Sequence, residues 1–139
     1  MDKEKSQEIR EILQSSGIHP TAQRIAILSF ISEESNHSTA EEVKDWVDKN
    51  FPNISLATVY NTLNVFVQGG LVQEFKLPHT TKVIYDWNTS LHHHFLDEST
   101  GELLDIPQSL VLVHPDVEND FIIHDVQAMI RGTKRASEK

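Results

Sequence analysis

The sequence predicts an α+β protein: a winged helix-turn-helix over residues 1–87, followed by a small α/β domain over residues 88–139. Three observations carry this reading. Residues 5–68 hold four stretches with apolar side chains at helical spacing, each bounded by a capping or breaking signal. Two short strand-like runs follow, 71–77 and 82–86, joined by a turn at Pro78-His79-Thr80-Thr81. After Trp87-Asn88 the pattern changes to short runs with poor helical periodicity, which sets the boundary.

Each element has its own signal. Lys5–Ser15 places Ile9, Ile12 and Leu13 on one face and stops at Gly17. Pro20-Thr21 opens a second helix, from Thr21 to about Ser32, carrying Ile25, Leu28 and Ile31. Ser38, with Glu41 three positions on, reads as a capping box for a third helix that carries Ala40, Val43, Trp46 and Val47 and ends near Asn50. Ser55 is a good N-cap for Leu56–Gln68, whose Val59, Leu63, Phe66 and Val67 form one stripe before Gly69-Gly70 ends the helix. Beyond residue 87, runs 91–96 and 101–106 suggest two strands around the turn Asp97–Thr100. Residues 107–120, with Pro107 and Pro115, are poorly patterned. Phe121–Ile130 reads as a last strand, and 132–139 as a polar tail.

Composition excludes several classes. No apolar run approaches the roughly 20 residues that span a bilayer, and the polar, helix-patterned start does not read as a signal peptide. The chain has no cysteine, so disulfides and thiolate metal sites are ruled out, and a cytoplasmic location is compatible. The net charge is −9, with about half on either side of residue 86. DNA-binding domains are usually basic, because neutralising phosphates supplies most of the affinity. The acidity suits either a surface with no nucleic-acid partner or a protein that binds DNA only after its carboxylates take up cations.

The fourth helix bears no charge from Ser55 to Gln68, and its outer face offers Ser55, Ala57, Thr58, Tyr60, Asn61 and Asn64. Asn suits adenine, and the Ala and Thr methyls suit the thymine methyl. A semi-exposed helix with a neutral polar face accounts for the same residues.

Leu91-His92-His93-His94-Phe95 is the strongest chemical signal. On a strand, His92 and His94 share one face and His93 takes the other. Asp86, ending the preceding strand, and Asp105, ending the following one, can reach the same side, and His37 lies on a loop before the third helix. Imidazole nitrogens with carboxylate oxygens suit Fe(II), Mn(II) or Zn(II). Three histidines decorating a surface loop are the plainer alternative.

Taken together, Gly17…Thr21-Ala-Gln-Arg24, His37-Ser-Thr-Ala-Glu-Glu, Ser55-Leu-Ala-Thr-Val-Tyr-Asn-Thr-Leu, Gly70-Leu-Val, Tyr85-Asp86, His92-His-His94 and Gly101-Glu-Leu-Leu-Asp105 resemble the Fur family of metal-dependent bacterial regulators. The resemblance covers nearly the whole chain. It implies a cytoplasmic homodimer, joined through residues 88–139, that binds an A/T-rich inverted-repeat operator in double-stranded DNA. It implies a regulatory metal on His37, Asp86, His92, His94 and Asp105, and DNA contacts from His19, Arg24, Ser55, Ala57, Thr58, Tyr60 and Asn61. Asp105 and Asn61 favour the peroxide-sensing, PerR-like branch, in which bound Fe(II) reacts with hydrogen peroxide and a ligand histidine is oxidised; the matching residues are His37 and His92.

The departures are specific. The first Cys-x-x-Cys pair of the family's structural zinc site is replaced by Asp97 and Thr100 and the second is missing, so no four-cysteine zinc is expected. Dimer packing then falls to residues such as Ile122, Ile123, Val126 and Met129. The family's accessory metal site, around His93 and Asp125, looks degraded. His19 stands where the family uses a basic residue near the minor groove. An iron- or zinc-uptake repressor without peroxide chemistry shares every one of these features. A non-haem metal enzyme would need a substrate pocket and a further acid–base set that the sequence does not offer.

Overall fold

The structure, a computed structural model, describes residues 3–33, 37–51, 53–77, 80–87, 89–90 and 92–136. They form two compact units, Met1–Thr89 and Ser90–Lys139. The order in the first is α1 (Lys3–Ser15), α2 (Ala22–Glu33), β1 (His37–Ser38), α3 (Ala40–Asn50), α4 (Leu56–Gln68), β2 (Gln73–Lys76) and β3 (Val83–Asp86). The second holds β4 (His92–Asp97), β5 (Leu103–Pro107), a 3₁₀ turn at Gln108–Leu110, α5 (Pro115–Asp120) and β6 (Met129–Gly132).

In the first unit α2 is the central element. Ile25 to Ser29 and Ile31 are all buried, and Ile9 and Leu13 of α1, Val43 and Val47 of α3, and Val59, Leu63 and Phe66 of α4 pack into the same core. Helices α1 and α4 end alike. Gly17 and Gly70 adopt left-handed φ of 75° and 76°, and the next residue donates back to the last turn: Ile18 N to Leu13 O at 2.9 Å, Leu71 N to Phe66 O at 3.0 Å. Glycine takes that conformation without a Cβ clash, so these residues stop the two helices cleanly.

Helix α3 begins one residue later than the sequence suggests. Ser38 is buried in β1, paired with Tyr85, and Thr39 is the N-cap. Its Oγ accepts the Glu42 N–H at 3.1 Å and lies 3.3 Å from the Glu42 carboxylate, so the capping box is Thr39–Glu42. Pairing along β1 also takes His37 off a loop and onto a strand. Strand β3 is the middle of an antiparallel sheet ordered β1-β3-β2, in which both His37 and Gln73 oppose Asp86. Of the predicted wing turn, Pro78 and His79 lie outside the described residues.

The second unit departs further from the sequence reading. Strand β4 pairs antiparallel with β5 and parallel with β6. The expected strand Phe121–Ile130 shrinks to Met129–Gly132, and the poorly patterned stretch contains the short helix α5. The apolar run Phe121-Ile122-Ile123 has no ladder to join, because β4 offers its remaining edge to residues from 128 onward: His94 N donates to Ala128 O at 3.1 Å, and Glu98 N to Gly132 O at 2.8 Å.

The β4–β5 turn is held by Asp97. Its carboxylate accepts from Ser99 N at 2.9 Å and Ser99 Oγ at 2.6 Å, while its carbonyl accepts from Gly101 N at 2.7 Å. These hydrogen bonds hold the Asp97 carboxyl below its ordinary value of 3.8. Lys134, just past β6, pairs with Glu102 at 2.7 Å.

Candidate metal centre and nucleic-acid interface

Each unit presents its own set of donors. In the first, the β1–β3 register puts His37 opposite Asp86, with His37 Nε2 3.3 Å from Asp86 Oδ2. The Asp86 side chain is almost wholly buried. A buried carboxylate is costly unless a cation or hydrogen-bond donor faces it, and the His37 imidazole is one such group beside Asp86.

In the second unit the alternation of β4 puts His92 and His94 on one face, their Nε2 atoms 3.1 Å apart. The His94↔Asp105 register brings Asp105 Oδ1 to 3.4 Å from His92 Nε2 and 3.7 Å from His94 Nε2. His92 Nδ1 lies 2.6 Å from the Ser90 carbonyl, which only an Nδ1–H satisfies. That bond fixes the tautomer and leaves the Nε2 lone pair facing His94 and Asp105, the usual arrangement behind a metal-ligating histidine. Two ligands each about 2.1 Å from one ion stand about 3.0–3.4 Å apart at tetrahedral to octahedral angles. The His92–His94 and His92–Asp105 separations fall within that spacing, the His94–Asp105 separation of 3.7 Å lies just beyond it, and the N,N,O set suits a divalent first-row metal.

His93 points the other way. It is buried, and its Nδ1 accepts the Ala128 N–H at 2.9 Å. Asp125 is engaged by Gln127 Nε2 at 3.0 Å. Among the described residues no group of three or more carboxylates and imidazoles gathers around His93 and Asp125, so the accessory site is not assembled there.

The fourth helix presents a neutral surface. Ser55 caps it, its Oγ accepting from Thr58 N at 3.1 Å and lying 3.0 Å from Thr58 Oγ1. Ala57, Asn61 and Asn64 are exposed and Thr58 and Tyr60 half-buried, while Thr62 is turned into the core, donating to Thr58 O. His19 is exposed, and its carbonyl accepts from Arg24 Nη1 at 2.9 Å, which ties the loop before α2 to the helix.

Sequence reasoning missed the contact between Tyr60 Oη and Glu41 Oε1, 3.0 Å apart across 19 residues. The carboxylate raises the Tyr60 phenol above its usual value, by accepting its proton and by repelling a phenolate. No local signal announces this pair; it exists because α3 and α4 pack together.

A family model described as "Ferric uptake regulator family" matches residues 15–126. The chain is 39% identical over 93 residues to the peroxide-responsive repressor PerR of Staphylococcus aureus (strain Mu50); that segment is 67% of this chain and 62% of the relative, less than two thirds of its length. Among solved structures, PerR of Streptococcus pyogenes aligns at TM-score 0.54 with 27% identity, covering 93% of this chain and 90% of that one. The Vibrio cholerae ferric uptake regulator aligns at TM-score 0.73 with 22% identity over 90% and 98% of the respective chains, a likeness of fold. With the family model spanning most of its length, this chain belongs to the ferric uptake regulator family, a family of regulators and not of enzymes.

Proposed function

We propose that this protein is a metal-dependent, DNA-binding repressor of the peroxide-responsive kind, acting as a homodimer. The observation that carries the reading is the His92–His94–Asp105 set, with two imidazole nitrogens and a carboxylate oxygen mutually 3.1–3.7 Å apart. In this reading His37 and Asp86 complete one regulatory site with them. His37, His92, His94, Asp86 and Asp105 would then offer three nitrogens and two oxygens to Fe(II) or Mn(II), with Zn(II) a weaker candidate. No cysteine is present to hold a four-cysteine zinc.

Charge supports the switch. The buried Asp86 and the partly exposed Asp105 add negative potential to an already acidic chain, and a bound cation cancels it. Metal affinity and DNA affinity are then reciprocally coupled. On an A/T-rich inverted repeat, each protomer lays α4 in one major groove, with Ser55, Ala57, Thr58, Tyr60 and Asn61 towards the bases and His19 and Arg24 towards the adjoining backbone and minor groove.

Iron(II), if held there, would supply the redox catalysis by which hydrogen peroxide oxidises a neighbouring imidazole, the ring itself giving up the two electrons. In this reading His37 and His92 would be the residues oxidised. One peroxide oxygen would enter an imidazole C–H, the other would leave as water, and the altered ring would be a poorer ligand. Asp105 would hold the metal with a side chain one methylene shorter than Glu, which in this reading is why an aspartate there suits peroxide access.

Gel shifts on an operator fragment, with Mn(II) or with chelator, test the metal switch; equal binding in both conditions overturns it. Fe(II)-loaded protein treated with peroxide should leave the operator and gain one oxygen on the peptide bearing His37 or His92. A protein that stays bound and unoxidised is a metal-uptake repressor instead.

A further inference from the structure

The hydroxyl of Tyr60 is already committed on one side. Its Oη donates to Glu41 Oε1 at 3.0 Å, joining the middle of α4 to the first turn of α3. Two acids stand in that turn, and their roles divide. Glu42 faces the Thr39 hydroxyl in the capping box, and Lys44, one turn on from Glu41, pairs with Asp48. Glu41 is exposed and reaches across to α4. The same contact raises the Tyr60 phenol above its ordinary value of 10.0, so the shared proton stays on Tyr60. On α4, Tyr60 precedes Asn61 and is a helical neighbour of Ala57 and Asn64, all three exposed.

A phenol has one O–H to give and lone pairs with which to accept. With its hydrogen pointed at Glu41, Tyr60 Oη turns only lone pairs toward anything else, so it suits a donor and repels an acceptor. In the major groove donors are few. Each base pair offers one exocyclic amino group, N6 of adenine or N4 of cytosine, whereas guanine N7 and O6 and thymine O4 only accept. We propose that Glu41 is a specificity-determining positioning residue, fixing Tyr60 as a hydrogen-bond acceptor that selects the amino edge of adenine or cytosine. This rests on α4 lying in the major groove, as proposed above. Without Glu41 the hydroxyl is free to rotate and donate, and the same ring then tolerates guanine and thymine edges. Loss of Glu41 relaxes the choice of base; it does not weaken binding throughout. A phosphate oxygen, which only accepts, is a poor partner for Tyr60 so held, which sets it apart from side chains that grip the DNA backbone.

Selection from a pool of randomised duplexes with Mn(II) gives the sequence that the full-length parent prefers, and the same selection on variants tests Glu41. Glu41→Ala and Tyr60→Phe should both lose discrimination at the same base pair of each half-site, by about fivefold, the value of one neutral hydrogen bond, and keep the rest of the sequence. Glu42→Gln removes a charge from the same turn, keeps a side chain able to complete the capping box, and should select as the parent does. At the affected position, putting purine in place of adenine, or 2-pyrimidinone in place of cytosine, deletes the amino group. The parent should then bind about fivefold more weakly, and Tyr60→Phe as well as before. The chain has two tyrosines, so isotope labelling at tyrosine Cζ follows each phenol separately by NMR. Glu41→Ala should bring the Tyr60 titration down towards 10.0, while Tyr85, held up chiefly by burial, moves little. Any of three results overturns the inference: Glu41→Ala selecting the parent's sequence, Glu42→Gln relaxing the choice as much as Glu41→Ala, or Tyr60→Phe responding to the missing amino group as the parent does. A parent that enriches no sequence with Mn(II) overturns the regulator reading, and this inference with it.

Discussion

The two units are stabilised by different means. Every fully buried apolar side chain among the described residues lies in the first unit, from Ile9 to Tyr85. In the second, the buried side chains are His93 and Asp97, both polar and both hydrogen-bonded. The exposed large hydrophobics divide the other way. Leu110, Leu112, Val117, Phe121, Ile122 and Ile130 belong to the second unit, and Leu56, at the start of α4, to the first. Apolar burial is the main favourable term in folding. The first unit can supply it alone; the second, with about 50 residues and an exposed apolar face, would gain it by meeting a second copy in the proposed homodimer.

The largest effect that probes this contrast is Phe66→Ala, which empties a fully buried site and should cost about 3–5 kcal/mol in thermal or urea unfolding. A cost below about 1 kcal/mol would mean that the first unit's core does not carry its stability. Next comes Leu112→Asp with Ile122→Asp, changing two of the most exposed apolar residues. Parent protein should remain dimeric by light scattering even after exhaustive chelation, while the double variant should be monomeric with a loosened second unit. If the variant stays dimeric, the interface lies elsewhere. Smaller again, Tyr60→Ala and Asn61→Ala should each lose about 1–3 kcal/mol of discrimination between operator and unrelated DNA, with folding and metal binding intact. Unchanged discrimination in both removes α4 from the base-reading role.

The smallest effect concerns Asp97. Its folded carboxyl titrates below its ordinary 3.8, so the stability it adds is fully present above that value and is lost as pH falls through the depressed one. Asp97→Asn should leave the first unit's melting unchanged and flatten the acid limb of the second. An acid limb identical to the parent's would show that another carboxylate controls that limb.

How much of this was legible varies along the chain. Helix α4 was, because Ser55 at the cap, an apolar stripe and a terminal glycine are local signals that agree. The start of α3 was not: Ser38 and Thr39 each have a glutamate three residues on, and strand pairing with Tyr85 decided between them. The ligand types were legible from His92-His-His94 and the two aspartates, since alternation on a strand follows from geometry. The strand ending the chain was misjudged because Phe121-Ile122-Ile123 is apolar enough for β structure, yet an apolar run becomes a strand only where a partner edge is free.

The sequence by itself therefore determined the element types, the neutral face of α4, the donors able to hold a metal and the absence of any thiolate site. Those follow from side-chain chemistry and from periods of about 3.6 and 2 residues. Tertiary structure alone decided that His37 sits on a strand opposite Asp86, that Tyr60 is engaged by Glu41, and that His93 is buried with its Nδ1 accepting the Ala128 N–H. Each of these depends on groups distant in sequence meeting in space, and no local pattern encodes the register or packing that brings them together.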